Sequence, residues 1–241
     1  MQLYGGRFEC ELVKTGRGRH YLVNGEKYIS VTEALGIIDK PALKFWAVKK
    51  CIEYLVALLD ETGRGIITQN DLDQAKRAHT VFTTDAANIG TAVHKWVENY
   101  IKTKDETLPS DENVMNGVLA FLRWRDAHRV DFISSERMIC SPTHGFIGTM
   151  DAEAIIDDKL SVIDFKTSSG IWIEHRLQTA AYQKAAEEEG TKYDGDRWIV
   201  RFDKLTAEFE AKQFGDVEED FKAFINALQL KKRLKVLESL K

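Results

Sequence analysis

The stretch from Gly148 to Tyr182 constrains this chain more than any other part of it. Gly148-Thr149-Met150-Asp151 places an acid after a glycine turn, Asp164-Phe165-Lys166 follows twelve residues later, and Gln178 and Tyr182 come next. Residues 146–157 and 160–167 read as consecutive strands joined by a short turn. Side chains at i and i+2 of a strand share a face, so Asp164 and Lys166 converge on one point. The hairpin brings Asp151 to that same point. Two carboxylates and an ammonium gathered in one place are costly unless something is bound among them, and a divalent cation would meet that need.

The chain has 241 residues, 44% hydrophobic and 30% charged, enough for one globular domain with a sizeable core. No apolar run is long enough to span a membrane. The N-terminus lacks a basic region followed by an apolar core, so no secretory signal is expected. Cys10, Cys51 and Cys140 are scattered, odd in number and form no CxxC pair. A disulfide framework, a structural zinc site and a four-cysteine iron–sulfur cluster are therefore not expected, and a reducing, cytoplasm-like compartment fits best. Net charge is −4, yet residues 1–50 hold nine Lys and Arg against five Asp and Glu. A basic N-terminal part beside an acidic centre is compatible with a phosphodiester chain as partner. Ordinary solvated surface charge would look the same.

Alternation and glycines over residues 6–30 predict short strands or a hairpin. Ser30-Val31-Thr32 predicts a helix start, with Ser30 or Thr32 as N-cap and Glu33 in the first turn. Pro41 opens a helix over 41–60, ended by Gly63 and Gly65. Residues 70–79 read as a polar helix, and 86–102 as another with Val93, Trp96, Val97 and Tyr100 at helical spacing. A helix over 111–128 follows the Leu108-Pro109-Ser110 break. Strands are expected at 131–141, 146–157, 160–167, 196–203 and 207–214, with helices at 172–189 and 216–240. The order predicts an α/β core with a mixed sheet.

Aspartate oxygens are hard ligands suited to Mg²⁺ or Mn²⁺. Lys166 cannot ligate as an ammonium, but can stabilise negative charge on a phosphate or orient a water. Asp164-x-Lys166 by itself also describes a weak surface ion pair. His94 and Glu98 lie one turn apart on a helix, as do Gln178 and Tyr182 on a later one. Imidazole and carboxylate are both metal ligands. Small residues Gly90, Thr91 and Ala92 would let the first of these helices approach closely.

As a set, Gly90-Thr91-Ala92-Val93-His94, Gly148-x-x-Asp151, Asp164-x-Lys166 and Gln178-x-x-x-Tyr182 resemble the PD-(D/E)XK nucleases, in particular the RecB-like exonuclease branch. Glu136, on the preceding strand, matches a glutamate often found there in that family, with its role left open and structural support one reading of it. Tyr28-Ile29-Ser30-Val31-Thr32 with Leu43 and Trp46 is similar to the mitochondrial genome maintenance exonucleases and their phage relatives, so the resemblance covers roughly residues 28–190. The four cysteines of the iron–sulfur branch are missing, and no GxxxxGK[ST] helicase motif occurs.

The resemblance implies a restriction-endonuclease-like mixed central sheet flanked by helices. It implies a single nuclease domain over 1–241: an N-terminal elaboration of strands and helices over 1–85 shaping a DNA passage, a catalytic core over 86–215, and a C-terminal helix over 216–241. It implies a metal-dependent DNA exonuclease acting on single strands or ends in replication, recombination or repair. His94, Asp151, Asp164 and the carbonyl of Phe165 would hold one or two Mg²⁺ or Mn²⁺ ions, with Glu98 a further ligand through water. Asp151, Asp164 and Lys166 would carry catalysis, Lys166 positioning the attacking water, and Gln178 and Tyr182 would position Lys166, the phosphate or the strand. Arg17, Arg19, Lys44, Trp46, Lys49 and Lys50 would contact DNA, since basic side chains with an aromatic suit a single strand. Trp46 in a core is the competing reading. The alternatives in function are a non-catalytic nucleic-acid-binding module, or a protein whose C-terminal helix (Leu228, Leu230, Leu234, Leu237, Leu240) docks a partner such as a single-strand annealing or binding protein.

Overall fold

The computed structural model describes residues 1–16 and 18–240. The chain divides into two compact units, one of Met1–Ile38 with Val93–Lys241 and one of Asp39–Ala92.

The first unit is built on a mixed sheet of nine strands among the described residues: β1 (Gln2–Leu3), β2 (Phe8–Thr15), β3 (Gly18–Val23), β4 (Glu26–Ser30), β5 (Val130–Ser141), β6 (Phe146–Ile156), β7 (Lys159–Lys166), β8 (Arg197–Phe202) and β9 (Phe209–Phe214). Two of its hairpins close with two-residue turns. Asn24-Gly25 joins β3 to β4 and Asp157-Asp158 joins β6 to β7, and all four residues have positive φ, as the type I′ turn requires. The order runs β1-β2-β3-β4-β6-β7-β8-β9, with β5 paired to β6. β4 meets β6 in parallel at Ile29↔Phe146 and Ser30↔Ile147, and β7 meets β8 in parallel. The other pairings are antiparallel.

β6 is the centre. β5 runs along one of its edges over the whole length. The other edge is shared, with β4 at Phe146–Ile147 and β7 from Ala152 to Ile156. Between those two contacts, Gly148 to Asp151 has only β5 as ladder partner among the described residues. The sheet is thus forked where the motif lies.

Helices cover both faces. Ser30 ends β4 and caps α1 (Val31–Leu35), its hydroxyl accepting from Glu33 N at 3.1 Å. α1 packs with α5 (Ile173–Glu189) and α6 (Glu218–Glu238) over a core of Ile139, Phe146, Met150, Val162, Ala181, Ala185, Phe224 and Leu228. Successive residues of β7 point to opposite faces, so Phe165 looks the other way. It packs against Phe121 and Trp124 of α4 (Glu112–Ala127), and Phe121 also touches Phe132, Phe202 and Tyr100. This mixed sheet between helical layers is the expected restriction-endonuclease-like arrangement. Of the C-terminal leucines, Leu228 is in the core, while Leu230, Leu234, Leu237 and Leu240 are largely exposed.

The second unit holds α2 (Pro41–Val56) and the first part of α3 (Gln69–Thr103), whose last turns from Val93 belong to the first unit. Two expectations are corrected here. The helix expected over 41–60 ends at Val56. The helices expected at 70–79 and 86–102 are one continuous helix, because nothing in residues 80–85 breaks it. Thr83 and Thr84 turn their hydroxyls back onto the carbonyls of His79 and Thr80, at 2.8 and 2.9 Å. β-branched residues that are poor helix formers in isolation are accommodated in that way.

Phe121 is fully buried where α4 meets the sheet. Phe121→Ala is expected to lower stability by about 3–5 kcal/mol in urea unfolding, since the rings around it cannot collapse into the space it leaves.

Candidate functional site

The site forms where β6 and β7 part. Their ladder ends at Ala152↔Ile163, so Asp151 and Asp164 stand at the next pair of positions. Asp151 replaces the missing backbone acceptor: its Oδ2 accepts from Phe165 N at 2.7 Å. The carboxylate is thereby fixed by the strand that carries Asp164 and Lys166.

On the other side of β6, Ser135↔Ala152 and Arg137↔Met150 bracket Glu136 opposite Asp151. Glu136 has φ +51. A left-handed conformation is unusual for a non-glycine residue, costs roughly 1–3 kcal/mol and recurs at functional sites. From α3, His94 Nδ1 lies 3.8 Å from Asp151 Oδ2. One ligand atom from each of His94, Glu136 and Asp151 falls within 4.8 Å of the others. An imidazole nitrogen with two carboxylate oxygens is a donor set that fits a divalent cation.

Asp164 and Lys166 form a second group on the face toward α5. Asp164 is 0% exposed, and Lys166 Nζ lies 2.6 Å from its Oδ2 and donates to Oδ1 at 2.8 Å. Lys166 also donates to Gln178 Oε1 at 3.3 Å, and Gln178 Nε2 donates to the Tyr182 hydroxyl at 2.7 Å. The i, i+4 spacing on α5 holds Gln178 and Tyr182 in line. Burial pushes the Asp164 carboxyl up to about 6, with Lys166 pulling against it and Asp151 adding to it. Burial would lower the Lys166 ammonium, but Asp164 and Asp151 outweigh it and hold it above its ordinary range. Near neutral pH the pair is therefore ionised, with Lys166 as a fixed cation. Burial holds the Tyr182 hydroxyl well above its usual range, so it stays protonated.

Gly148 is required by close approach. A Cβ there would lie 2.7 Å from Tyr182 Cε1 and 3.2 Å from Val31 Cγ2. The tyrosine ring packs directly on the β6 backbone, which places Gln178 beside Lys166.

The structure therefore brings together Asp151, Asp164, Lys166, Gln178, Tyr182 and His94. It adds Glu136 to the group that could hold a cation, a residue whose sequence match alone left its role open. Asp164 sits with Lys166 rather than in that group. The Phe165 side chain is buried in the aromatic core, its amide bonded to Asp151. Glu98 lies outside the group and pairs with Lys102. In the second unit, Lys44 pairs with Asp39 at 3.0 Å, Lys49 and Lys50 both reach Glu53, and Lys50 lies over the Phe82 ring. Trp46 is half-buried. Arg17 and the side chain of Arg19 lie outside the described residues.

No protein-family model and no curated protein matches the chain. Among solved structures, a crystal structure of an alkaline exonuclease, LHK-Exo, from Laribacter hongkongensis is similar at 14% identity, covering 88% of this chain and 93% of that one with a TM-score of 0.40. The same enzyme in complex with dAMP gives 14% identity, the same coverage and a TM-score of 0.38. The crystal structure of SSO0001 gives 15% identity, 80% and 86% coverage and a TM-score of 0.36.

The packing at Gly148 has a direct test. Gly148→Ala is expected to destabilise by about 1–3 kcal/mol through overpacking against Tyr182. Combined with Tyr182→Leu, it should cost less than the two single changes added together, as read by urea unfolding in a double-mutant cycle.

Proposed function

We propose that this protein is a Mg²⁺- or Mn²⁺-dependent deoxyribonuclease, an exonuclease that hydrolyses phosphodiester bonds of single-stranded DNA or of DNA ends. The observation that supports this most strongly is a buried, ionised Lys166–Asp164 pair beside the three-donor group His94, Glu136 and Asp151. A structural ion pair has no need of a ligand cluster next to it, and a simple cation site has no need of a buried ammonium.

His94, Glu136 and Asp151 would hold the cation, with the Phe165 carbonyl a proposed further ligand and Asp164 another on turning from Lys166. When bound, the cation supplies Lewis-acid stabilisation of charge on a phosphoryl oxygen. Lys166, cationic at neutral pH, is suited to stabilise developing negative charge on the phosphate rather than to accept a proton. Gln178 holds the ammonium toward the fork, and Tyr182 holds Gln178. The bond from Phe165 N to Asp151 would tie the two strands together at the site. Lys44, Trp46, Lys49 and Lys50 are proposed contacts for the strand, and Arg17 and Arg19 further ones. The reading places the protein in the cytoplasm of a bacterial or phage-infected cell, working in replication, recombination or repair, where a single-strand annealing or binding protein would be a natural partner.

Asp164→Ala and Lys166→Ala are each expected to abolish metal-dependent degradation of end-labelled single-stranded DNA, with folding retained by circular dichroism. Glu136→Gln should lower the rate at limiting metal and recover partly as Mn²⁺ is raised. Circular single strands should resist the wild-type protein while linear ones are degraded. Full activity of both the Asp164 and Lys166 variants would overturn the assignment. Tight binding of DNA without cleavage, in either metal, would instead mark a binding module.

A further inference from the structure

The segment between Lys166 and Gln178 holds an aromatic residue that the site described so far does not use. Trp172 is the N-cap of α5 and is 48% exposed, and Ile173 after it is 77% exposed. By contrast, Trp124 and Trp198 are buried. The indole is not loose. A Cβ on Gly170 would come within 3.2 Å of Trp172 Cζ2, so the ring lies directly over the Gly170 backbone. Ser168 Oγ donates to Gly170 O at 2.8 Å and closes the turn beneath it. Trp172 N donates to His175 Nδ1 at 3.2 Å and fixes the helix start. The indole is thus held against its own loop through its six-membered ring, while about half of the residue stays open to solvent.

Its position is set by the catalytic elements on either side. The loop leaves β7 directly after Lys166. Gln178 lies six residues along α5 from Trp172, about 9 Å at the rise of an α-helix. Glu174, two residues beyond Trp172, is near enough to act electrostatically on Lys166. An exposed indole held on the loop between a phosphate-binding ammonium and α5 would meet a base, not another phosphate.

We propose that Trp172 is a stacking platform for a base next to the scissile phosphate, seating the end of a single strand by its π-face. This rests on the nuclease reading above. Stacking on an aromatic side chain tolerates any base, so the platform would orient the strand without imposing a sequence. Ile173 would extend the apolar surface under the same base. The role is positioning through direct contact with substrate, distinct from the charge-handling role of Lys166.

The test uses the intact protein, linear single-stranded oligonucleotides and Mg²⁺ or Mn²⁺. Trp172→Ala is expected to raise KM by roughly tenfold or more with a smaller change in kcat, and Trp172→Phe to restore most of the loss. A single abasic position walked inward from the labelled end should reproduce the loss for the wild-type protein at one position. At that position the abasic change should cost the Trp172→Ala variant nothing more. Equal KM for wild type and Trp172→Ala, or abasic and Trp172 effects that simply add at every position, would overturn the platform while leaving the nuclease standing. A wild-type protein that cleaves no strand in either metal would overturn the nuclease reading, and the platform with it.

Discussion

The two-residue turn at Asp157-Asp158 fixes the register on which the site depends. With Ile156 paired to Lys159, Ala152 falls opposite Ile163, and the next positions are Asp151 and Asp164. A slip of one residue would send every side chain of β7 to the wrong face, burying Phe165 toward α5 and turning Asp164 and Lys166 into the aromatic layer. Both turn residues have positive φ, which aspartate tolerates better than most side chains. The same register lets β6 share its second edge between β4 and β7, and the gap between them is where Asp151 stands.

From that fork two groups of opposite chemistry arise on neighbouring positions. One is open and could hold a cation: His94, Glu136 and Asp151. The other is closed and ionised: Asp164, Lys166, Gln178 and Tyr182. Asp151 joins them, since its Oδ2 takes the Phe165 amide and its charge acts on both Asp164 and Lys166. Charge in the closed group is held by the mutual attraction of Asp164 and Lys166 against the cost of burial, and Lys166 is positioned by α5, whose approach depends on the bare Cα of Gly148. The backbone strain at Glu136 and the buried carboxylate of Asp164 are both costs that a purely structural hairpin would not carry.

Much of this was legible in the sequence because strands report their faces at period two. Asp164-x-Lys166 declares a shared face, the Ser30 cap declares the start of α1, and Gln178 and Tyr182 declare one side of α5. What was not legible follows from physics that single residues do not signal. Glu136 adopts a left-handed backbone with no glycine to announce it, and its membership of the ligand group comes from cross-strand register. The continuity of α3 through Thr83 and Thr84 depends on hydroxyls returning to backbone carbonyls, which propensity does not count. The withdrawal of Asp164 to Lys166 reflects burial, which only the packed helix α5 creates.

The most direct measurement is the anomalous difference map of a crystal of the protein soaked in Mn²⁺. The account predicts a peak enclosed by His94 Nδ1 and the carboxylates of Glu136 and Asp151, with Asp164 or the Phe165 carbonyl turned toward it. A crystal in which Mn²⁺ occupies other sites, or none, while His94, Glu136 and Asp151 keep their positions would contradict it.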